Sequence, residues 1–188
     1  MKPQFWIFIV SLALSSSLYG QRYTWSVEAY YPISIGESFG ASNEGRVGLG
    51  AKYRFAQTGR MRLGASLDAA WFATVFVNDS DPVQELDYRD FFLQPRIFGE
   101  LPVTSNERLR FLFGLGWTFI HSRTETFLDQ QGYVEGKVNN SGPNVNAGLT
   151  WNLSPRWFLH SQLDFIYSNG DTPETNIGLL KLGAGFRF

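Results

Sequence analysis

Apolar and polar residues alternate along most of this chain with a period of two, in runs of roughly ten residues parted by turn-forming segments. The clearest run is 109–120. Leu109, Phe111, Phe113, Leu115, Trp117 and Phe119 share one face, and Arg110, Gly114, Gly116 and Thr118 share the other. Six further runs read the same way at about 22–33, 45–55, 61–77, 89–101, 144–153 and 157–168. The eighth ends the chain, with Leu180, Leu182, Ala184, Phe186 and Phe188 opposite Leu179, Lys181, Gly183, Gly185 and Arg187. A period of two is the signature of a strand with unlike faces, and each run is long enough to cross a bilayer when tilted.

The faces are unlike in an instructive way. The apolar faces are broad and aromatic and carry no charged side chain. The opposite faces hold glycines together with Glu28, Arg46, Lys52, Arg54, Asp68, Arg96, His160, Asp164 and Lys181, which are expected to form a polar network inside a barrel. Arg62, Glu100, Arg110 and Arg187 fall on the same side. An Arg or Lys facing lipid near the bilayer midplane costs roughly 2–4 kcal/mol, which accounts for the segregation. A soluble barrel would put the apolar faces inside and the charges outside. Open sheet edges are not tolerated in hydrocarbon, so strands of this kind must close on themselves. The predicted fold class is therefore all-β, an eight-stranded antiparallel transmembrane β-barrel. Pro95, which cannot donate to a ladder, predicts a bulge or irregularity, and Ser161 is a polar residue on the lipid face.

The connections support this order. Those after the second, fourth and sixth runs (56–60, 102–108 and 154–156) are short turns, and those after the first, third, fifth and seventh (34–44, 78–88, 121–143 and 169–176) are mostly longer and polar. Short turns on one side and long loops on the other is the outer-membrane arrangement, with both termini periplasmic. The segment 121–143 reads either as a solvated loop or as a hairpin prolonging the two flanking strands, whose edge could take a partner by strand addition.

Composition narrows the picture further. Lys2, the apolar run Phe5 to Leu14 and the small residues Ser15, Ser16 and Ser17 read as a secretory signal peptide over 1–20, leaving a barrel domain over 21–188. Removing residues 1–20, which hold one Lys and no acid, takes the formal net charge from -1 to about −2 and argues against a nucleic-acid partner. The chain has no cysteine, so disulfides, thiolate metal sites and a lipid-modified cysteine are excluded. With two histidines in the chain, no metal site or cofactor is expected. His160 and Asp164, four apart on one strand, read as a proton-relay pair or as part of an interior hydrogen-bond network.

The whole-chain pattern over about 22–188 resembles the small eight-stranded outer-membrane barrels of the OmpX and OmpA-transmembrane-domain kind. The ending Leu182-Gly183-Ala184-Gly185-Phe186-Arg187-Phe188 resembles the signal read by the barrel-assembly machinery, with Phe186 and Phe188 its aromatic positions. Gln21, directly after the expected cleavage point, is similar to many Bacteroidota exported proteins. The resemblance implies export, assembly by that machinery and residence among outer-membrane lipids. Tyr167-Ser168-Asn169-Gly170 and Asn176-Ile177-Gly178 also resemble the end of the PagL-type lipid A deacylases, but Ile166 stands where that motif has its catalytic His, and Leu179, Leu180 and Lys181 where the acid is expected. A serine without a base is a poor nucleophile, so no catalytic residue is assigned.

These readings leave a non-enzymatic integral protein with a structural or surface-contact role as the first expectation, a partner being met through 121–143. A narrow passive channel and an inactive deacylase relative are the alternatives. An eight-stranded barrel is just wide enough to be filled by its own side chains, which favours a plugged lumen.

Overall fold

The structure is a computed structural model that describes residues 24–36, 39, 44–78, 84–128, 132–168 and 176–188. The expected signal peptide and the Asn169-Gly170 turn lie outside the described residues. Eight strands follow in order: β1 (Trp25–Ile35), β2 (Gly45–Thr58), β3 (Met61–Asn78), β4 (Gln84–Pro102), β5 (Leu109–Leu128), β6 (Gly132–Asn152), β7 (Trp157–Tyr167) and β8 (Asn176–Arg187). Each pairs antiparallel with the next, and β1 pairs β8 from Ser26↔Arg187 to Ile35↔Gly178, closing the barrel. No edge is left at membrane depth, as hydrocarbon requires.

The alternation is realised as two surfaces. Leu115, Leu149, Ile97, Leu163 and Leu67 are exposed on the outside, and Glu28, Lys52, Asp68, Arg96, Asp164 and Lys181 are buried inside. Ser161 is outside, between Leu159 and Leu163 on β7. Aromatic residues gather at both ends of the apolar band. At the short-turn end the Trp25 and Tyr53 rings lie tilted 4.6 Å apart and Trp157 meets Phe186 edge to face at 5.0 Å, with Phe186 6.2 Å from Phe188. At the other end Tyr31, Trp71, Phe91, Trp117, Phe119 and Tyr167 are exposed. Aromatic girdles of this sort mark the two membrane interfaces.

Glycines let the barrel hold large rings inside. Gly48, Gly64, Gly183 and Gly185 each face a ring on the strand directly opposite: Tyr30, Phe98, His160 and Phe158. A Cβ on Gly48 would stand 2.0 Å from the Tyr30 ring, and one on Gly185 2.1 Å from the Phe158 ring. The ring lies over the glycine and replaces the missing side chain.

The structure corrects two expectations, the place of Arg46 and the 78–88 loop, and decides two that were left open. Arg46 is not an interior residue. The register between β2 and β3 shifts between Gly45 and Val47, and this bulge turns the Arg46 side chain outward, half exposed, where its Nε donates to the Ala73 carbonyl at 3.2 Å and it pairs with Glu44 at 3.3 Å. The bulge has a local cause: Gly45 packs so tightly on β1 that a Cβ would lie 1.7 Å from the Pro32 carbonyl oxygen. Pro95 brings the expected irregularity, as a gap in the ladder rather than a bulge. Its register with β3 is unbroken at Leu67↔Pro95, and toward β5 the pairs at Gln94 and Pro95 are missing without any shift between Leu93↔Phe119 and Arg96↔Gly116. Of the two readings of 121–143 the hairpin is realised, and most of the expected 78–88 loop is strand as well. β4 starts at Gln84, and β5 and β6 stay paired out to Leu128↔Gly132.

Candidate functional site

Two regions concentrate polar chemistry: the lumen, and the part of the sheet that stands above the apolar band.

The lumen has three levels. In the middle, Arg96 is the hub. Its guanidinium donates to Asp68 at 3.0 Å, to Asn144 at 2.9 Å and to Asp164. Asp164 also takes Lys181 at 2.7 Å and the Gln162 amide at 2.6 Å. Lys181 reaches on to Gln94 at 2.7 Å, and Gln94 and Asn144 both donate to the Thr118 hydroxyl, at 3.1 and 2.8 Å. Lys52 donates to Glu28 at 2.9 Å. The cations Lys52, Arg96 and Lys181 thus meet the anions Glu28, Asp68 and Asp164 one for one. Such pairing is what a low-dielectric interior demands of buried charge.

His160 and Asp164 do not pair. Four residues along a strand span about 13 Å, so two side chains so placed cannot meet. His160 has Glu28 at 3.9 Å, beyond hydrogen-bond reach, and neither ring nitrogen has a partner. Its contacts are rings: Tyr30 edge-on at 6.1 Å and Phe158 at 6.2 Å.

Above this level the lumen turns apolar. Phe72, Phe92, Ile166 and Leu179 are fully buried, with Ala70, Ile120 and Ile177 beside them. Phe39, from the β1–β2 connection, lies over this layer with its ring 5.3 Å from both Phe72 and Phe92. The sequence reading missed this stopper. Its signal was present where both parities of a strand are apolar, as in Trp71-Phe72, Phe91-Phe92-Leu93, Phe119-Ile120 and Phe165-Ile166.

At the short-turn end the lumen is rich in arginine. Arg54 grips Glu100 through two bonds, 2.9 and 2.6 Å, and donates to Ser26 at 3.1 Å. Arg110 pairs with Glu107, whose own carbonyl accepts from Asn152 at 2.7 Å. Asn152 in turn accepts from Arg187 at 2.7 Å. Arg187 lies over the Phe158 ring at 4.4 Å, and Arg62 sits opposite Glu100 in the ladder.

The second region is the sheet extension. On the outer face the residues change abruptly from aromatic to ionic one step above Phe91 and Phe119. Arg89 pairs with Asp87 at 2.5 Å, Arg123 with Glu125 at 2.8 Å and with Glu135 at 2.9 Å, and Lys137 with Glu135 at 2.8 Å. His121 Nδ1 contacts the Asn139 amide oxygen at 2.7 Å. Charges on that face exclude it from lipid. β6 pairs with β7 from Asn144↔Ile166 downward and still packs on it at Gly142, where a Cβ would lie 1.7 Å from the Tyr167 carbonyl oxygen, so over 132–141 its pairing partner is β5 alone among the described residues. A Cβ on Gly136 would touch only Thr124 of β5, at 3.9 Å.

Ser168, the nucleophile position of the PagL-like motif, has a buried hydroxyl without a partner among the described residues. Among the described residues no group of three or more His, Asp or Glu is placed to hold a metal ion.

This architecture is that of the eight-stranded outer-membrane β-barrels. The crystal structure of Ail, the attachment invasion locus protein of Yersinia pestis, in complex with the heparin analogue sucrose octasulfate, is similar over 89% of this chain and 100% of that one, with 17% identity and a TM-score of 0.62. Neisserial surface protein A is similar over 89% of this chain and 98% of its own, at 14% identity and a TM-score of 0.59. The outer membrane enzyme PagL is similar over 87% and 99%, at 14% identity and a TM-score of 0.50. No family model matches the chain, and no curated protein matches its sequence. At these identities the likeness carries the fold, and it lends no support to a Bacteroidota source.

Proposed function

We propose that this chain is a non-enzymatic outer-membrane protein that makes contact at the cell surface through its sheet extension, with an extended protein segment adding to the upper part of β6, over 132–138, which among the described residues pairs with β5 alone. The observation that carries this reading is the length mismatch at that edge: β5 and β6 stay in register to Leu128↔Gly132, whereas β7 stops at Tyr167. A strand paired on one side offers a row of backbone donors and acceptors on the other, and strand addition uses such a row. Ail, a protein of the same fold, is named for attachment and invasion, a role of the same class.

The remaining parts of the reading complete it. Residues 1–20 direct export and are then removed, the barrel-assembly machinery recognises the ending that holds Phe186 and Phe188, and outer-membrane lipids cover the apolar band. A channel draws little support from a lumen that is charge-paired at mid-height and stoppered by Phe39, Phe72 and Phe92. A deacylase draws little from a Ser168 with Ile166 where the base would stand.

The test is to select displayed peptides on the folded barrel and to repeat the binding after replacing 125–135 by an Asn-Gly turn, which joins the paired residues Thr124 and Gly136. Alternating-pattern peptides that bind the parent and lose binding to the shortened, still folded variant support the reading. Equal binding by both, or discrete single-channel conductance from the parent in bilayers, would overturn it.

A further inference from the structure

The arginines at the short-turn mouth are not balanced as the middle of the lumen is. Four guanidiniums, those of Arg54, Arg62, Arg110 and Arg187, stand against two carboxylates, of Glu100 and Glu107. The Glu107 side chain is half in solvent, and Arg54 takes both oxygens of Glu100. Arg187 lies in the field of Arg54, Glu100, Arg110 and Arg62, three cations against one anion. Yet Arg110 and Arg187 are more than nine-tenths buried. Their guanidiniums keep buried nitrogens with no partner among the described residues: NH1 of Arg110, and Nε and NH2 of Arg187. Each such group left unmet costs about 1–3 kcal/mol, more when charged, and native interiors rarely tolerate it without a purpose.

The geometry holds these nitrogens in place. Arg187 is fixed from one side by Asn152 and from beneath by the Phe158 ring. Asn152 is fixed by the Glu107 carbonyl, and the Glu107 carboxylate anchors Arg110. Two guanidinium forks are thus tethered through one linked set of contacts, each with donors unused. Rigid forks of this sort suit an anion that offers several oxygens at once.

We propose that the periplasmic mouth of the barrel is a binding site for a phosphate-type oxyanion, held by Arg110 and Arg187, with Arg62 adding charge. The anion neutralises the surplus and takes the unused donors. It comes either from solution or from the phosphate of a lipid headgroup at the adjoining interface.

The test is a titration of the full folded barrel, in micelles free of phosphate, with inorganic phosphate, followed by the arginine Nε–Hε resonances. Saturable shifts at Arg187 and Arg110 are expected at about 0.15 M chloride, where surface attraction is screened beyond about 8 Å. Arg187→Gln should weaken the binding by about ten-fold or more, as loss of a charged hydrogen bond implies, and Lys137→Gln should leave it unchanged. If Arg187→Gln does not fold, Arg110→Lys keeps the charge, removes the fork and should weaken binding likewise. The same resonances recorded in phosphatidylglycerol bilayers without added phosphate distinguish the sources: shifted signals point to a headgroup, unshifted ones to a soluble anion. Shifts that rise linearly and are matched by chloride of equal ionic strength, or that persist unchanged in the variants, would overturn the proposal.

Discussion

Arg54 on β2 and Glu100 on β4 meet across the lumen in a two-pronged ion pair, Nε to Oε2 at 2.9 Å and NH2 to Oε1 at 2.6 Å, with both side chains almost fully buried. β3 lies between them, so the pair spans a strand it does not belong to. Breaking a buried pair by removing one partner costs about 3–5 kcal/mol, because a lone charge is left behind. Glu100→Gln should therefore lower stability by that order, and Arg54→Met with Glu100→Leu should recover most of it. Urea unfolding of bilayer-refolded protein measures both, and a Glu100→Gln variant as stable as the parent would refute the pairing.

The glycine–ring pairs carry a prediction of their own. Gly185→Val drives a side chain into Phe158, which is pinned beneath Arg187, and overpacking of this kind costs about 1–3 kcal/mol. Phe158→Ala alone should open a cavity. Combining the two should cost less than the sum of the single changes, and strict additivity in a double-mutant cycle would argue against the contact.

The facing assignment makes opposite predictions for two positions on the lipid side, one on β5 and one on β7. Leu115, 67% exposed on the lipid side, should cost about 2–4 kcal/mol when changed to Arg. Ser161→Leu, on the same surface, should be neutral or stabilising because a hydroxyl is exchanged for hydrocarbon. Folding titrations in bilayers compare them. Tolerance of Leu115→Arg would sink the assignment.

The extension makes a pH prediction. The Lys137 hydrogen bond, with Arg123 nearby, holds the Glu135 carboxyl below its ordinary value of 4.5. A depressed carboxyl contributes its stabilisation above the unfolded value and loses it as pH falls through the folded one. The cross-strand contacts of 123, 135 and 137 should therefore survive acidification to the ordinary glutamate value and loosen only below it. Carboxyl NMR of Glu135 reads this directly, and Lys137→Gln should raise its midpoint. A midpoint at or above 4.5 in the parent would contradict the bonded geometry.

Where lipid touched the chain, the chain was legible. The eight runs, their facing and the buried places of Glu28, Lys52, Arg54, Asp68, Arg96, His160, Asp164 and Lys181 follow from alternation, since hydrocarbon on one side and a narrow lumen on the other impose a period of two. Arg46 was misplaced because a one-residue bulge reverses facing and leaves no mark in the alternation itself. The start of β4 was missed, and the hairpin of β5 and β6 stood only as one of two readings, for a related reason. Above the membrane both faces of a strand meet water, so residues 84–90 and 121–143 can be polar throughout and still be sheet.

The sequence by itself determined a closed eight-stranded barrel with charge inside, because a solvent boundary acts on every residue independently. Which charge meets which was decided only by the tertiary structure. Arg96 joins Asp68 and Asp164, strands apart, Phe39 comes to rest on Phe72 and Phe92, and Arg110 and Arg187 are left with donors to spare. Those partners depend on register and barrel closure, which bring together residues that no local pattern links.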